Sequence, residues 1–150
     1  MPPIEATKQL ARQLIDAIWN DGRLAEAEAR LAPDFVNHSA PPGTPTDRAA
    51  FLRTAATTRT TFPDFRVTVD DLVAEGELVV AHFTAQGTHQ VAWAHPIIGP
   101  IAARGTAVQW RGVRLFRIAD GMVTATWVYS DSLALLQQLG ALPGLAESLG

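Results

Sequence analysis

A chain of 150 residues, 47% hydrophobic and 18% charged, has the size and composition of one globular domain and excludes a largely disordered protein. Twelve Lys and Arg against fifteen Asp and Glu leave a net charge of −3, which gives no electrostatic reason to bind nucleic acid or an acidic membrane. Cysteine is absent, which excludes disulfides, thiol nucleophiles and Cys-based metal sites and fits a cytoplasmic chain.

Met1-Pro2-Pro3-Ile4-Glu5 lacks a basic segment followed by an apolar one, so no signal peptide is expected. No apolar stretch is long enough to span a bilayer, so no membrane association is expected. Ile4, Leu10, Leu14, Ala17 and Ile18 recur at helical spacing and predict a first helix ending at Asp21-Gly22. A short second helix is predicted over Leu24 to Leu31, closed by Pro33. Phe35-Val36-Asn37-His38 reads as a short strand, and Pro41-Pro42-Gly43-Thr44-Pro45 as a loop. Thr46 is placed to cap a third helix whose apolar face is Phe51, Ala55, Thr58 and Phe62, before Pro63-Asp64 breaks it.

The period then changes. Phe65, Val67 and Val69 alternate with Arg66, Thr68 and Asp70, the pattern of a half-buried strand. Glu75-Gly76 is a turn, Leu78 to Gln86 a second strand, and Ala107 to Ile118 a third. Asp120-Gly121 signals a hairpin, with Met122 to Ser130 returning. Ser130 or Asp131 then caps a last short helix carrying Leu133, Leu136 and Leu139, ended by Gly140. The tail from Ala141 reads as irregular. Helices first and a mostly antiparallel sheet after them predict an α+β fold over residues 1–150.

Strand alternation locates a pocket. Val79, Ala81, Phe83 and Ala85 form one apolar face. In the next strand Val108, Trp110, Gly112, Arg114, Phe116 and Ile118 share a face that holds the large aromatics, and this face is assigned inward. Arg114 is its polar exception. A buried guanidinium needs a carboxylate, a carbonyl cluster or water, so Arg114 is either a site residue or half of a structural ion pair. His89 continues the inward parity and is either a proton carrier or a strand-end His bonded to backbone. His38 and Asn37 border the Pro-rich loop, either facing the barrel mouth or shaping a turn. Asp131 is a site candidate or a helix cap, beside Tyr129. The apolar stretch Trp93 to Thr106 reads as a long loop that covers a ligand or packs on a second subunit. Outward Val113 and Leu115, with Trp127, predict a dimer.

Gly-rich phosphate loops, a nucleophile elbow and the His-Glu-x-x-His helix are all missing, and the four His residues lack metal-site spacing, so no metal is expected.

Gly87-Thr88-His89, Ile98-Gly99-Pro100, Arg104-Gly105-Thr106-Ala107-Val108, Gly112-Val113, Phe116-Arg117-Ile118-Ala119-Asp120-Gly121, Trp127, Asp131 and Leu136-Gln137-Gln138-Leu139-Gly140 occur in this order. With Phe35-Val36-Asn37-His38 and Phe62-Pro63-Asp64 they resemble the SnoaL-like polyketide cyclase (ester cyclase) family of the nuclear transport factor 2-like superfamily, from the first helix to Gly140. The resemblance implies a cone-shaped barrel of helices against a curved sheet, often dimeric, without a cofactor. Members with known activity close rings in aromatic polyketides by an intramolecular aldol step, others close rings differently or hydroxylate, and fold alone does not settle function. The family's inward general acid/base Asp aligns with Val128, and a His two residues earlier aligns with Thr126. Neither Val nor Thr replaces that chemistry, so Asp131, His89 or His38 would have to take it over.

The expected activity is therefore a cofactor-free cyclase or isomerase acting on a small hydrophobic, polyketide-like substrate. Arg114, His89, Asp131 and His38 are the catalytic candidates. Asn37, Phe62, Phe83, Trp93 and Trp110, with Phe116, Thr126, Val128 and Tyr129, are the binding candidates. Two alternatives stand beside it. An epoxide-opening hydrolase would share the pocket Arg but want a carboxylate where Phe116 lies, two residues along. A non-catalytic small-molecule binder would explain the missing acid/base pair.

Overall fold

The computed structural model describes residues 3–142. The N-terminal periodicity forms α1 (Pro3–Ile15), which buries Ala11, Leu14 and Ile15. The chain then widens into a π-helical turn, Asp16–Asp21, that buries Ala17, Ile18 and Trp19. Gly22 stops it in the left-handed region at φ 70°, which Gly adopts without a Cβ penalty. Asn20 ties this turn to the sheet: its side-chain amide donates to the Val67 carbonyl at 2.9 Å, and its carbonyl accepts from the Val67 N–H at 2.7 Å.

Next come α2 (Leu24–Glu28), β1 (Leu31–Asn37) and α3 (Arg48–Thr61). The remaining elements are β2 (Arg66–Glu75), β3 (Leu78–Thr88), β4 (Trp93–His95), β5 (Gly99–Ile101), β6 (Ala107–Ala119), β7 (Met122–Ser130) and α4 (Ser132–Gln138). The main sheet has the order β1-β7-β6-β3-β2, with β1 parallel to β7 and the other neighbours antiparallel. The fold is α+β: N-terminal helices, a curved mixed sheet and a short C-terminal helix. Its core runs from Leu14, Ile18 and Phe51 on the helices to Val79, Phe116 and Val123 on the sheet. Register shifts at Asp70 in β2 and at Thr124 in β7, opposite Arg117 and Ile118, mark bulges, which bend the sheet around the helices.

Several boundaries differ from the sequence expectation. The second helix ends at Glu28, and Pro33 lies inside a strand instead of closing a helix. An edge strand tolerates Pro because no ladder bond needs its missing N–H. Asp47, not Thr46, caps α3, its carboxylate accepting from the Ala50 N–H at 2.9 Å. Thr46 instead gives its carbonyl to the Asn37 N–H at 2.8 Å. β3 runs two residues beyond Gln86, because Gly87 and Thr88 keep pairing with Val108 and Ala107 of β6; a Cβ at Gly87 would lie 2.8 Å from the Phe62 Cβ. Trp93 to Thr106 is not simply a loop: Trp93–His95 and Gly99–Ile101 pair as a two-stranded hairpin. Its tip is held by His95, whose Nδ1 accepts from the N–H groups of Ile97 and Ile98, both at 3.1 Å.

The Asp120-Gly121 turn has positive φ at both residues, 53° and 74°, as a two-residue hairpin of matching twist requires. On α4 the apolar face is Leu135, Leu136 and Leu139, and Leu133 is exposed. The Gln138 side chain docks that helix on β6, accepting from the Gln109 N–H at 2.9 Å and donating to the Gln109 carbonyl at 2.8 Å. Ala141 and Leu142 pack against the core, and the rest of the expected irregular tail lies outside the described residues. No helix among the described residues is long and apolar enough to cross a membrane.

Candidate functional site

Cross-strand register fixes which side chains meet. Ala81, Arg114 and Val128 form one row across β3, β6 and β7. Phe83, Gly112 and Ser130 form the next, and Ala85 faces Trp110 in the one beyond. These rows line an inner chamber of about 170 Å³ between the sheet and the first helix, where Ile15, Trp19, Phe65 and Val67 complete the wall. A larger outer chamber of about 600 Å³ opens between α3, the Pro41–Pro45 loop and the β4–β5 hairpin. Trp19, Thr58, Arg114 and Val128 line both chambers, so Arg114 stands at their junction.

Arg114 has no carboxylate partner among the described residues. Its Nη1 donates to the Thr126 Oγ1 at 3.0 Å, while the Thr126 hydroxyl donates to the Leu115 carbonyl at 2.9 Å. Its guanidinium carbon lies 4.5 Å from the Trp19 ring centroid and 5.4 Å from that of Phe51. These two cation–π contacts are worth about 0.5–2 kcal/mol each, less than the several kcal/mol by which desolvation penalises an unpaired buried ion. Burial brings the Arg114 pKa down to about 9, which still leaves a cation at neutral pH. The inward face assigned from alternation is therefore the cavity face, and its polar exception is an unneutralised charge.

The other sequence candidates separate. Phe83, Trp110 and Val128 line the inner chamber, and Asn37 and Trp93 the outer one. Thr126 is fully buried and touches Arg114 without lining either chamber. Phe62 and Phe116 belong to the core. Tyr129 points outward and is 63% exposed, because it has the opposite parity from Val128.

Three of the catalytic candidates lie away from Arg114. His89 is 1% exposed, packs against Phe62 at 5.5 Å between ring centroids, and lines neither chamber. Its N–H donates to Thr106 and its carbonyl accepts from Gly105, so it closes the strand end through backbone. Its Nε2 has no partner among the described residues. His38 stacks on Trp127 at 4.6 Å on the outer face of the sheet. Asp131 caps α4, its carboxylate accepting from the Ala134 N–H at 3.0 Å. Among the described residues no group of three His, Cys, Asp or Glu stands close enough to hold a metal ion.

Sequence reasoning missed Trp19, Thr58, Arg53 and Ser39. Trp19 is carried inward by the π-helical turn, and the Arg59 guanidinium holds that turn by donating to the Trp19 carbonyl at 2.7 Å. Ser39 stitches the barrel mouth: its hydroxyl donates to the Val128 carbonyl at 3.1 Å and accepts from the Val128 N–H at 2.8 Å. The apolar spacing of the first helix pointed to Ala17 and Ile18, and a straight helix gave no reason to bring Trp19 inward.

A helical layer over a curved sheet, with a largely apolar cavity between them, defines a small-molecule-binding α+β domain. The SnoaL-like polyketide cyclase family matches residues 9–139, and the chain belongs to that family. Among solved structures, AclR from Streptomyces galilaeus, provisionally called a hydroxylase, is similar at 26% identity and TM-score 0.80, over 93% of this chain and 99% of that one. TsrD from Streptomyces laurentii is similar at 29% identity and TM-score 0.76, over 92% and 97%. IdmH from Streptomyces antibioticus, provisionally called a polyketide cyclase, is similar at 31% identity and TM-score 0.76, over 89% and 98%. No curated protein matches the chain.

Proposed function

We propose that this chain is a cofactor-independent cyclase or isomerase that closes a ring in a hydrophobic, polyketide-like molecule. The observation that carries the reading is Arg114: an unneutralised guanidinium between two chambers, in a chain of a polyketide cyclase family. Trp19, Phe65, Phe83 and Trp110 offer flat apolar walls that hold a flexible substrate near its reactive shape. Such positioning lowers a barrier by up to about 7–11 kcal/mol in favourable cases. Arg114 polarises the reacting carbonyl and stabilises the negative charge that develops on its oxygen. Thr126 and Trp19 fix its direction.

The test is incubation with a panel of aromatic poly-β-ketones, with products followed by absorbance and mass. Ring closure with loss of turnover in Arg114→Ala supports the proposal. A panel member that binds tightly and is never converted favours a binding protein instead. An epoxide-opening hydrolase wants carboxylates beside the pocket arginine, and among the described residues none lines either chamber.

The reading includes a homodimer. Val73, Val80, Leu115 and Trp127 form one row across the outer face of β2, β3, β6 and β7, with Val73 59% exposed. A second copy covering that face would bury this stripe, and sedimentation of the Leu115→Arg chain as a monomer beside a dimeric parent is the expected result.

A further inference from the structure

The two chambers hold cationic side chains and no base. Arg114 lies at their junction and Arg53 in the wall of the outer one. Among the described residues, no Asp, Glu, His, Tyr or Lys lines either chamber. Apart from Ser130, whose hydroxyl at the inner chamber is no base on its own, the hydroxyls are also committed. Thr54, Thr57 and Thr58 each donate to the carbonyl four residues back in α3, at 3.0–3.1 Å. Thr44 and Ser39 donate to the carbonyls of Pro41 and Val128. These hydroxyls present lone pairs to the cavity, not protons. Ordinary base catalysis, in which a side chain removes a substrate proton, has no agent here.

We infer that the ligand enters already ionised, as a delocalised oxyanion of the enolate or phenolate type, and that Arg114 is its counter-ion. This rests on the reading of the cavity as the substrate site. The charge argument is that a half-buried cation without an anionic partner, set at the junction of the two chambers, is stabilised by whichever ligand neutralises it, and the cavity's own residues do not. The delocalisation argument is that the walls around Arg114 are aromatic, Trp19 at 4.5 Å and Phe51 at 5.4 Å from the guanidinium carbon. A flat anion with spread charge loses less hydration on entering such a site than a compact carboxylate does. The lowered Arg114 pKa agrees, since it reflects desolvation without an anionic neighbour.

The chemistry then balances without a protein base. An acidic 1,3-dicarbonyl gives its proton to solvent before binding. The enolate carbon attacks a carbonyl carbon of the same molecule, one C–C bond forms, and the C=O π pair becomes an alkoxide. The alkoxide takes a proton from water, so the net change is isomerisation with no redox partner.

The test uses the whole chain and three probes: a nitrophenol that ionises near neutral pH, its methyl ether, and benzoate. Affinity for the nitrophenol is expected to rise with pH as it ionises and to exceed that for the ether by about tenfold or more, the size of one charge-assisted hydrogen bond. Arg114→Met is expected to remove this preference while the ether still binds, which reports an intact cavity. Equal affinity for nitrophenolate and ether, or an affinity independent of pH, overturns the inference. Tighter binding of benzoate than of nitrophenolate overturns its delocalised part. Because no probe is turned over, these outcomes are separate from those of the ring-closure assay.

Discussion

Val128 stands directly across from Arg114 in the antiparallel β6–β7 ladder, and both side chains line both chambers. Directly opposed residues have Cβ atoms about 4.5–5.5 Å apart, so a carboxylate at position 128 would reach the guanidinium. Val128→Asp is predicted to neutralise Arg114 from within. The new ion pair offsets the carboxylate's desolvation against relief of the existing unpaired charge, so thermal stability is expected to change by less than about 1.5 kcal/mol. Affinity for nitrophenolate is expected to fall about tenfold or more, while Val128→Asn retains it. Retained anion binding in the Asp variant would show that the two side chains do not meet.

Arg114 also sets a pH dependence of stability. Its folded pKa, about 9, lies below its unfolded one, so the folded chain releases this proton first as pH rises. Above about pH 9 the unfolded state binds more protons, and the linkage relation makes this group's contribution to stability increase with pH. Below about pH 9 the desolvation penalty is present in full. Arg114→Met removes the penalty together with the Thr126 hydrogen bond and the two ring contacts. The variant is expected to be more stable than the parent by about 1–3 kcal/mol at neutral pH, with the gap narrowing toward about pH 10. Urea unfolding of both chains across that range measures it. A variant less stable at neutral pH would mean that the aromatic and hydroxyl contacts outweigh the buried charge.

The sheet and its inward face were legible because they depend on a period of two, which Phe83, Trp110 and Arg114 obey through β3 and β6. The resemblance carried the family, because its motifs keep their order from the first helix to Gly140. Three proton-handling candidates lie away from Arg114 for separate physical reasons. His38 follows the end of β1 and stacks outward on Trp127, a ring that parity alone put on the outer face. Asp131 serves as a cap, the role its position before a helix allowed. His89 has inward parity, but β3 ends at Thr88 and the ring turns in behind Phe62. Trp19 was illegible because a π-helical turn is a tertiary outcome, held by the Asn20 and Arg59 contacts across the fold.

Gly112 packs against Phe83 and Ser130, which line the inner chamber, and its replacement is the sharpest test of that geometry. A Cβ there would lie 2.7 Å from the Tyr129 carbonyl oxygen and 2.8 Å from both the Phe83 Cζ and the Ser130 Cβ. The Tyr129 oxygen belongs to the neighbouring strand's backbone and has little freedom to move. Phe83 lines the chamber, so its ring has open space on that side to turn into. Gly112→Ala is therefore expected to destabilise the chain by about 2–3 kcal/mol, the range for overpacking a filled interior, and to shrink the space beside Arg114. Adding Phe83→Leu relieves the ring contact but not the backbone one, so the double variant should recover part of the stability and not all of it. Thermal and urea unfolding of the single and double variants measure both steps. A single variant within about 0.5 kcal/mol of the parent would mean that β6 and β7 separate easily at this row, and that the packing beside the chamber is softer than the contact distances require.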